Sequence, residues 1–266
     1  MSELKGLIFD VDGTLAETER NGHRVAFNKA FAQAGLNWHW SVDLYGELLA
    51  VTGGKERIRH YIEQHLPEFQ APGDLSEFIA GLHGAKNAYY AEMVTAGEIP
   101  LRPGVKRLLL EAQREGIRLA IATTTSLENV EALLEHSLDP GAVSWFEVIA
   151  AGDVVAAKKP ATDIFHYTLK ALDLPAEACL AVEDSANGLR ASLGAGIQTL
   201  VTVSDYTRND RFTGAALVVD HLGEPGEAMT VLAGDAQGAA MIDVAVLRRL
   251  HGDVAVAGSQ RVQAAP

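Results

Sequence analysis

The chain has 266 residues, 48% of them hydrophobic, and a formal net charge of −13. That length fits one large domain or one domain carrying an insertion. The acidic balance argues against non-specific binding to nucleic acid or anionic membranes, which needs clustered Lys and Arg, and the single cysteine, Cys179, excludes an internal disulfide or a cysteine-rich zinc site.

Leu4–Phe9 is a short apolar run that reads as a buried strand, closed by Asp10. The alternation breaks from about residue 19 to 97, where helical spacing dominates: His23–Ala34, Leu44–Ala50, Lys55–His65 and Leu75–Met93. Strand-like runs then return at Ile117–Ala122, Trp145–Ala151, Cys179–Val182, Ile197–Val203 and Ala215–Val219. Helical patterns separate them at Val105–Glu115, Leu127–His136, Asp163–Leu172 and Gly188–Leu193. Such alternation predicts a doubly wound, parallel, Rossmann-like α/β sheet. The expected organisation is a core of residues 1–18 and 97–224, a helical cap inserted at 19–96, and a C-terminal extension at 225–266. In the extension Met241–Leu250 has helical spacing, and Gly252–Pro266 is expected to be disordered. No run is long and apolar enough to cross a membrane, and the N-terminus lacks a signal-peptide shape. A cytoplasmic location is therefore expected.

The polar clusters all fall at the carboxyl ends of predicted strands, where ligands bind in such sheets. The first is Phe9-Asp10-Val11-Asp12-Gly13-Thr14. Two acids, two residues apart, project to the same side. Like charges this close resist joint ionisation unless a cation is near. The pattern suggests a Mg²⁺ site with one carboxylate as nucleophile. The others are Thr123-Thr124-Thr125-Ser126, Lys159 before Pro160, and Glu183-Asp184-Ser185. Ser126 reads as the N-cap of the helix at Leu127. Lys158 reads as a solvated surface charge. Ser185 and Asn187 fit a cap-and-turn role as well as a site role.

Asp10, Asp12, Thr123, Lys159 and Glu183-Asp184, in this order and spacing, resemble the haloacid dehalogenase-like hydrolases over roughly residues 1 to 220. The resemblance implies that Asp10 attacks phosphorus and becomes an aspartyl-phosphate. Asp12 would protonate the leaving oxygen and then deprotonate water. Asp10, Asp12 (through its backbone carbonyl) and Asp184 would hold Mg²⁺, with Glu183 beside them. Thr123 and the amide of Thr124 would bind the phosphoryl oxygens, and Lys159 would neutralise charge.

Further details resemble the CbbY-type sugar-bisphosphate phosphatases: Ala16-Glu17-Thr18-Glu19, His23, Thr52-Gly53-Gly54-Lys55-Glu56-Arg57, and Thr124 and Thr125 beside Thr123. This implies a phosphoric monoester hydrolase converting xylulose 1,5-bisphosphate, an inhibitor of Rubisco, to xylulose 5-phosphate. A beta-phosphoglucomutase-like phosphomutase and a phosphoglycolate phosphatase are the alternatives. A bisphosphate needs a second anion site. Gly53 and Gly54 would permit close backbone approach, with Lys55, Arg57, His83 and Lys86 supplying positive charge. Glu17 and His23 would contact sugar hydroxyls or assist Asp12. Trp38 and Trp40 read as cap packing, with an aromatic wall for a sugar as the alternative. The partner implied is a small phosphorylated sugar, with no nucleic acid, membrane or obligate protein partner.

Overall fold

The structure, a computed structural model, describes residues 3–51 and 53–252. Thr52, and the expected disorder beyond residue 252, lie outside the described residues. Two compact units result: one comprises the chain up to Glu17 and from Pro100 onward, the other Thr18–Ile99.

The first unit is built on a seven-stranded sheet. Its strands are β1 (Gly6–Phe9), β2 (Arg118–Ala122), β3 (Val148–Ala150), β4 (Cys179–Glu183), β5 (Gln198–Thr202), β6 (Leu217–Val219) and β7 (Val231–Ala233), in the order β3-β2-β1-β4-β5-β6-β7. Every pairing from β3 to β6 is parallel, and β7 joins β6 antiparallel. β1 and β4 are buried along their whole length. Apolar runs rather than alternating ones are what a parallel sheet covered on both faces requires. The doubly wound α/β class expected from the sequence is the one observed.

The helices of this unit include α5 (Val105–Arg114), α6 (Leu127–Leu133), α7 (Asp163–Leu172) and α8 (Ala186–Gly194). α7 buries Ile164, Phe165, Leu169 and Leu172 against Ile8, Ala120, Ala181 and Ile197 of the sheet region. Truncating one such leucine to alanine typically costs about 2–5 kcal/mol.

Several local expectations are corrected. The helix expected to run to His136 ends as α6 at Leu133. It continues as a wider turn to Leu138, closed by the Asp139 N–H on the Leu134 carbonyl. Ser126 stands at the N-cap position but makes no side-chain capping bond. Of the run Trp145–Ala151 only Val148–Ala150 is strand, because Ala142–Trp145 coils as a tight 3₁₀ turn on the Gly141 carbonyl. β7 was not expected at all. Its three residues are exposed at the sheet edge and carry no alternation to betray them. Residues 244–252 are helical and pack on this unit. Gln198 Nε2 donates to the Leu250 carbonyl (2.7 Å), and His251 Nε2 lies 2.8 Å from the Glu177 carbonyl.

The second unit contains α1 (Arg24–Gln33), α2 (Val42–Leu48), α3 (Gly54–His65) and α4 (Leu75–Thr95). Its core is aromatic. Trp40 is fully buried, with ring centroids 4.7 Å from Phe27, 4.9 Å from Phe31 and 5.4 Å from Tyr61. Trp38 packs edge-on to Phe31 and Phe69. Both tryptophans are thus packing residues, as the sequence suggested. Asn28 fixes Trp40 by bonding both its backbone N–H (2.8 Å) and its carbonyl (3.0 Å). Asp74 caps α4, accepting from the amides of Ser76 and Glu77.

Candidate active site

β1 lies between β2 and β4, the point where the order of the sheet reverses. Phe9 pairs with Ile121 on one side and Val182 on the other. Asp10, Thr123 and Glu183 therefore emerge side by side at the carboxyl ends, although far apart in sequence. Past Asp10 the chain turns at Gly13, with φ +80°. The Gly13 N–H closes the turn on the Ala16 carbonyl (2.8 Å), and the Leu15 N–H bonds the Val11 carbonyl (2.9 Å). A Cβ at Gly13 would overlap the Asp184 carboxylate, so glycine is required twice over.

Lys159 reaches the centre of this cluster from the loop after β3. Its Nζ donates to Asp10 Oδ1 (2.7 Å), Glu183 Oε1 (2.6 Å) and the Ala122 carbonyl (2.8 Å). Burial alone would lower its pKa, but Asp10 and Glu183 outweigh that and hold the ammonium above its ordinary range. Lys158 turns away, bonding the Gly152 carbonyl and the fully exposed Asp153.

Asp10, Glu183 and Asp184 are buried and offer carboxylate oxygens within 4.8 Å of one another. Burial, offset by Lys159 but reinforced by Asp10, raises Glu183 from 4.5 to about 7. Burial, then Asp10 and Glu183, raise Asp184 well above the ordinary carboxylate value, against a lowering hydrogen bond from Ser204. Glu183 Oε2 is buried without a hydrogen-bond partner among the described residues. Buried negative charge in excess of the single ammonium, an orphaned oxygen and an all-oxygen donor set fit a small divalent cation such as Mg²⁺. Asp12 stands outside this trio of carboxylates. Its Oδ2 accepts a hydrogen bond from the Thr125 hydroxyl.

Thr123 is buried, and its hydroxyl accepts from the Thr125 N–H (3.3 Å), while Thr124 is exposed. Thr125, expected to contact substrate, has its hydroxyl on Asp12. Ser185 is a helix cap, accepting from the Gly188 N–H (3.1 Å). Asn187 accepts a hydrogen bond from Arg190. Glu17 is in ion-pair contact with Arg102 (3.2 Å). Arg102 and Ser204 were missed because neither lies in a recognisable motif. The only local hint was Arg102-Pro103-Gly104 before a helix.

The remaining expected residues lie in the helical unit. Gly53 has φ +96°, and Gly54 passes so close to the His83 ring that a Cβ would clash with it. His83 and Lys86 share a face of α4. Burial, then Lys86 and Lys55, lower the His83 pKa. Burial, then Lys86, Arg57 and His83, hold His23 well below its usual range, with its ring 4.0 Å from Tyr90. Lys86 Nζ sits over the rings of Phe27 and Tyr90 at 5.3 and 5.2 Å. Lys55 is exposed. Arg57 is buried, and its guanidinium bonds the carbonyls of Leu48 and Val51 and the hydroxyl of Tyr45, which in turn bonds Glu19. Much of its hydrogen bonding therefore serves the helical unit itself.

Residues 4–196 match the haloacid dehalogenase-like hydrolase family. The chain is 48% identical over 250 residues to Protein CbbY (plasmid) of Cupriavidus necator, covering 93% of this chain and 97% of that protein. A crystal structure of CbbY from Rhodobacter sphaeroides with phosphate is 49% identical, with a TM-score of 0.70, over 82% of this chain and 94% of that one. A mutant of that protein, in complex with xylulose-1,5-bisphosphate, is 48% identical with a TM-score of 0.71, over 84% of this chain and 96% of that one. Taken with the acids at the ends of β1 and β4, these likenesses show that the chain belongs to the haloacid dehalogenase-like hydrolases and is a relative of the CbbY proteins.

Proposed function

We propose that this protein is a Mg²⁺-dependent phosphatase acting on xylulose 1,5-bisphosphate through Asp10. The observation that carries the chemistry is the buried contact of Lys159 with both Asp10 and Glu183 beside the Asp12–Thr125 pair. Asp10 attacks phosphorus as the bond to the sugar oxygen breaks, and Asp12 gives that oxygen its proton. Asp12 then takes a proton from water, which attacks phosphorus and frees Asp10 and inorganic phosphate. Thr123 and Lys159 receive the charge on the transferring oxygens. Bound Mg²⁺, held by Asp10, Asp184, the Asp12 carbonyl and Glu183 beside them, would supply further neutralisation of phosphoryl charge.

The substrate reading rests on the CbbY likeness and on one local group of basic residues in the helical unit. Lys55, His83 and Lys86 lie close enough for the two lysines to depress the histidine, which suits a second phosphate. The test is phosphate release from xylulose 1,5-bisphosphate, ribulose 1,5-bisphosphate, beta-glucose 1-phosphate and phosphoglycolate. Xylulose 1,5-bisphosphate should be preferred. Lys55→Ala should raise its KM about tenfold, the loss expected of a charged hydrogen bond, and leave phosphoglycolate turnover unchanged. Preference for phosphoglycolate, or conversion of glucose 1-phosphate without phosphate release, would overturn the substrate assignment.

Chelation of divalent cations should abolish turnover, and added Mg²⁺ should restore it. Stability offers an independent readout. Glu183 is raised from 4.5 to about 7, so the metal-free folded state holds protons that the unfolded chain has released. Its stability is therefore highest below pH 4.5 as far as this group is concerned, and is lost as pH rises through about 7. Mg²⁺ should raise the Tm more at pH 8 than at pH 5. An equal shift at both would argue against a carboxylate cation site.

A further inference from the structure

We propose that Arg102 is a positioning residue for the turn that carries Asp12. The proposal rests on the reading of Asp12 as the acid of ester cleavage. Arg102 is 7% exposed and lies in a segment that carries no motif. Its guanidinium donates to the carbonyls of Gly13, Thr202 (2.9 Å), Val203 (2.6 Å) and Asp220 (2.5 Å), and its Nε lies 3.2 Å from Glu17 Oε1. The Arg102 backbone N–H bonds the Leu15 carbonyl (2.9 Å), and Leu101 pairs with Ala16. One residue thus ties the turn after β1, at two carbonyls, to the chain leaving β5 and β6.

The geometry explains why arginine stands here. Four carbonyls and a carboxylate converge from several directions, and a rigid fork of donors meets them where a lysine point charge cannot. Removing a buried charge also leaves its acceptors unsatisfied. The grip falls on Gly13, the residue directly after Asp12, whose missing side chain leaves room for the Asp184 carboxylate. Displacement of the Gly13 carbonyl therefore moves Asp12 relative to Asp10. A small misplacement of a proton donor is costly only where the leaving oxygen needs that proton.

This requirement separates positioning from general structural support. The measurement is kcat/KM with Mg²⁺, for wild type and Arg102→Lys, on alkyl phosphates and on p-nitrophenyl phosphate. This constant reports the steps up to departure of the leaving group. Arg102→Lys should lose about a hundredfold on alkyl esters, which need the acid, and less than about threefold on the aryl ester, which does not. An equal loss on all esters, or no loss, overturns the proposal. Wild-type protein inert toward every ester would instead overturn the phosphatase reading beneath it. If thermal unfolding shows Arg102→Lys to be poorly folded, Arg102→Gln, which keeps an N–H donor without burying a charge, serves the same comparison. A loss of about tenfold confined to alkyl esters supports the proposal, and a uniform loss or a rise in KM alone overturns it.

Discussion

Asp10→Asn is expected to lower phosphate release by about 10⁴-fold or more, since an amide cannot serve as the nucleophile and the loss is borne by the chemical step. The substitution keeps the side-chain shape, so the fold should survive. Asp10 also contributes to the raised pKa of both Glu183 and Asp184. Removing its charge should therefore leave the metal-free protein at least as stable as wild type at pH 8. Two measurements check this: turnover of the preferred ester, and Tm at pH 8 in the presence of a chelator. Acid quenching during turnover should trap phosphate on the wild-type chain and none on the variant. Activity within about tenfold of wild type would rule out Asp10 as the nucleophile.

Lys159→Met is expected to damage activity and stability together. The ammonium is the shared donor to Asp10, Glu183 and the Ala122 carbonyl. In the proposed mechanism its loss removes the charge that would meet the transferring phosphoryl group, a defect of about 10²–10³-fold in kcat. It also strands Glu183, which is 1% exposed. Breaking a buried pair at one partner costs about 3–5 kcal/mol, because the remaining charge stays desolvated. The pH dependence distinguishes this cause from lost packing. Glu183 already titrates near about 7 in the intact site, against 4.5 ordinarily, and without the lysine it is pushed higher still. The stability deficit should be largest above pH 7 and shrink below pH 4.5, where glutamate is largely protonated in both states. Denaturant titrations at the two ends of this range test it. A deficit independent of pH would mean that Lys159 acts through packing alone. Lys158→Met is the control, since Lys158 bonds Gly152 and Asp153 and not the buried carboxylates.

The α/β class and the chemistry of the strand ends were legible in the sequence because both are local signals. A buried parallel strand must be a continuous apolar run, and Leu7–Phe9 and Cys179–Val182 are such runs. A turn that brings two acids together needs Asp10, Asp12 and Gly13 at fixed spacing. The order of the acids, threonine and lysine along the chain pointed to the hydrolase family before any geometry was known.

Other features depend on which distant segments meet, and only the tertiary structure decided them. Arg57 reads in the sequence as positive charge for a second anion site, and only the fold shows the carbonyls of Leu48 and Val51 receiving it. Thr125 reads in the sequence as a substrate-binding residue beside Thr123, and only the fold shows its hydroxyl on Asp12. Arg102 has no motif at all. Its role arises from four carbonyls, at Gly13, Thr202, Val203 and Asp220, that converge only once β1, β5 and β6 lie in register. β7 has no amphipathic pattern and exists because the β6 edge offers it a partner. Sequence alone thus determined the kind of chemistry this protein can perform, since spacing and residue type are local. The folded chain decided which charges are shared, buried and held in place, because desolvation and hydrogen-bond satisfaction are properties of the whole packed site.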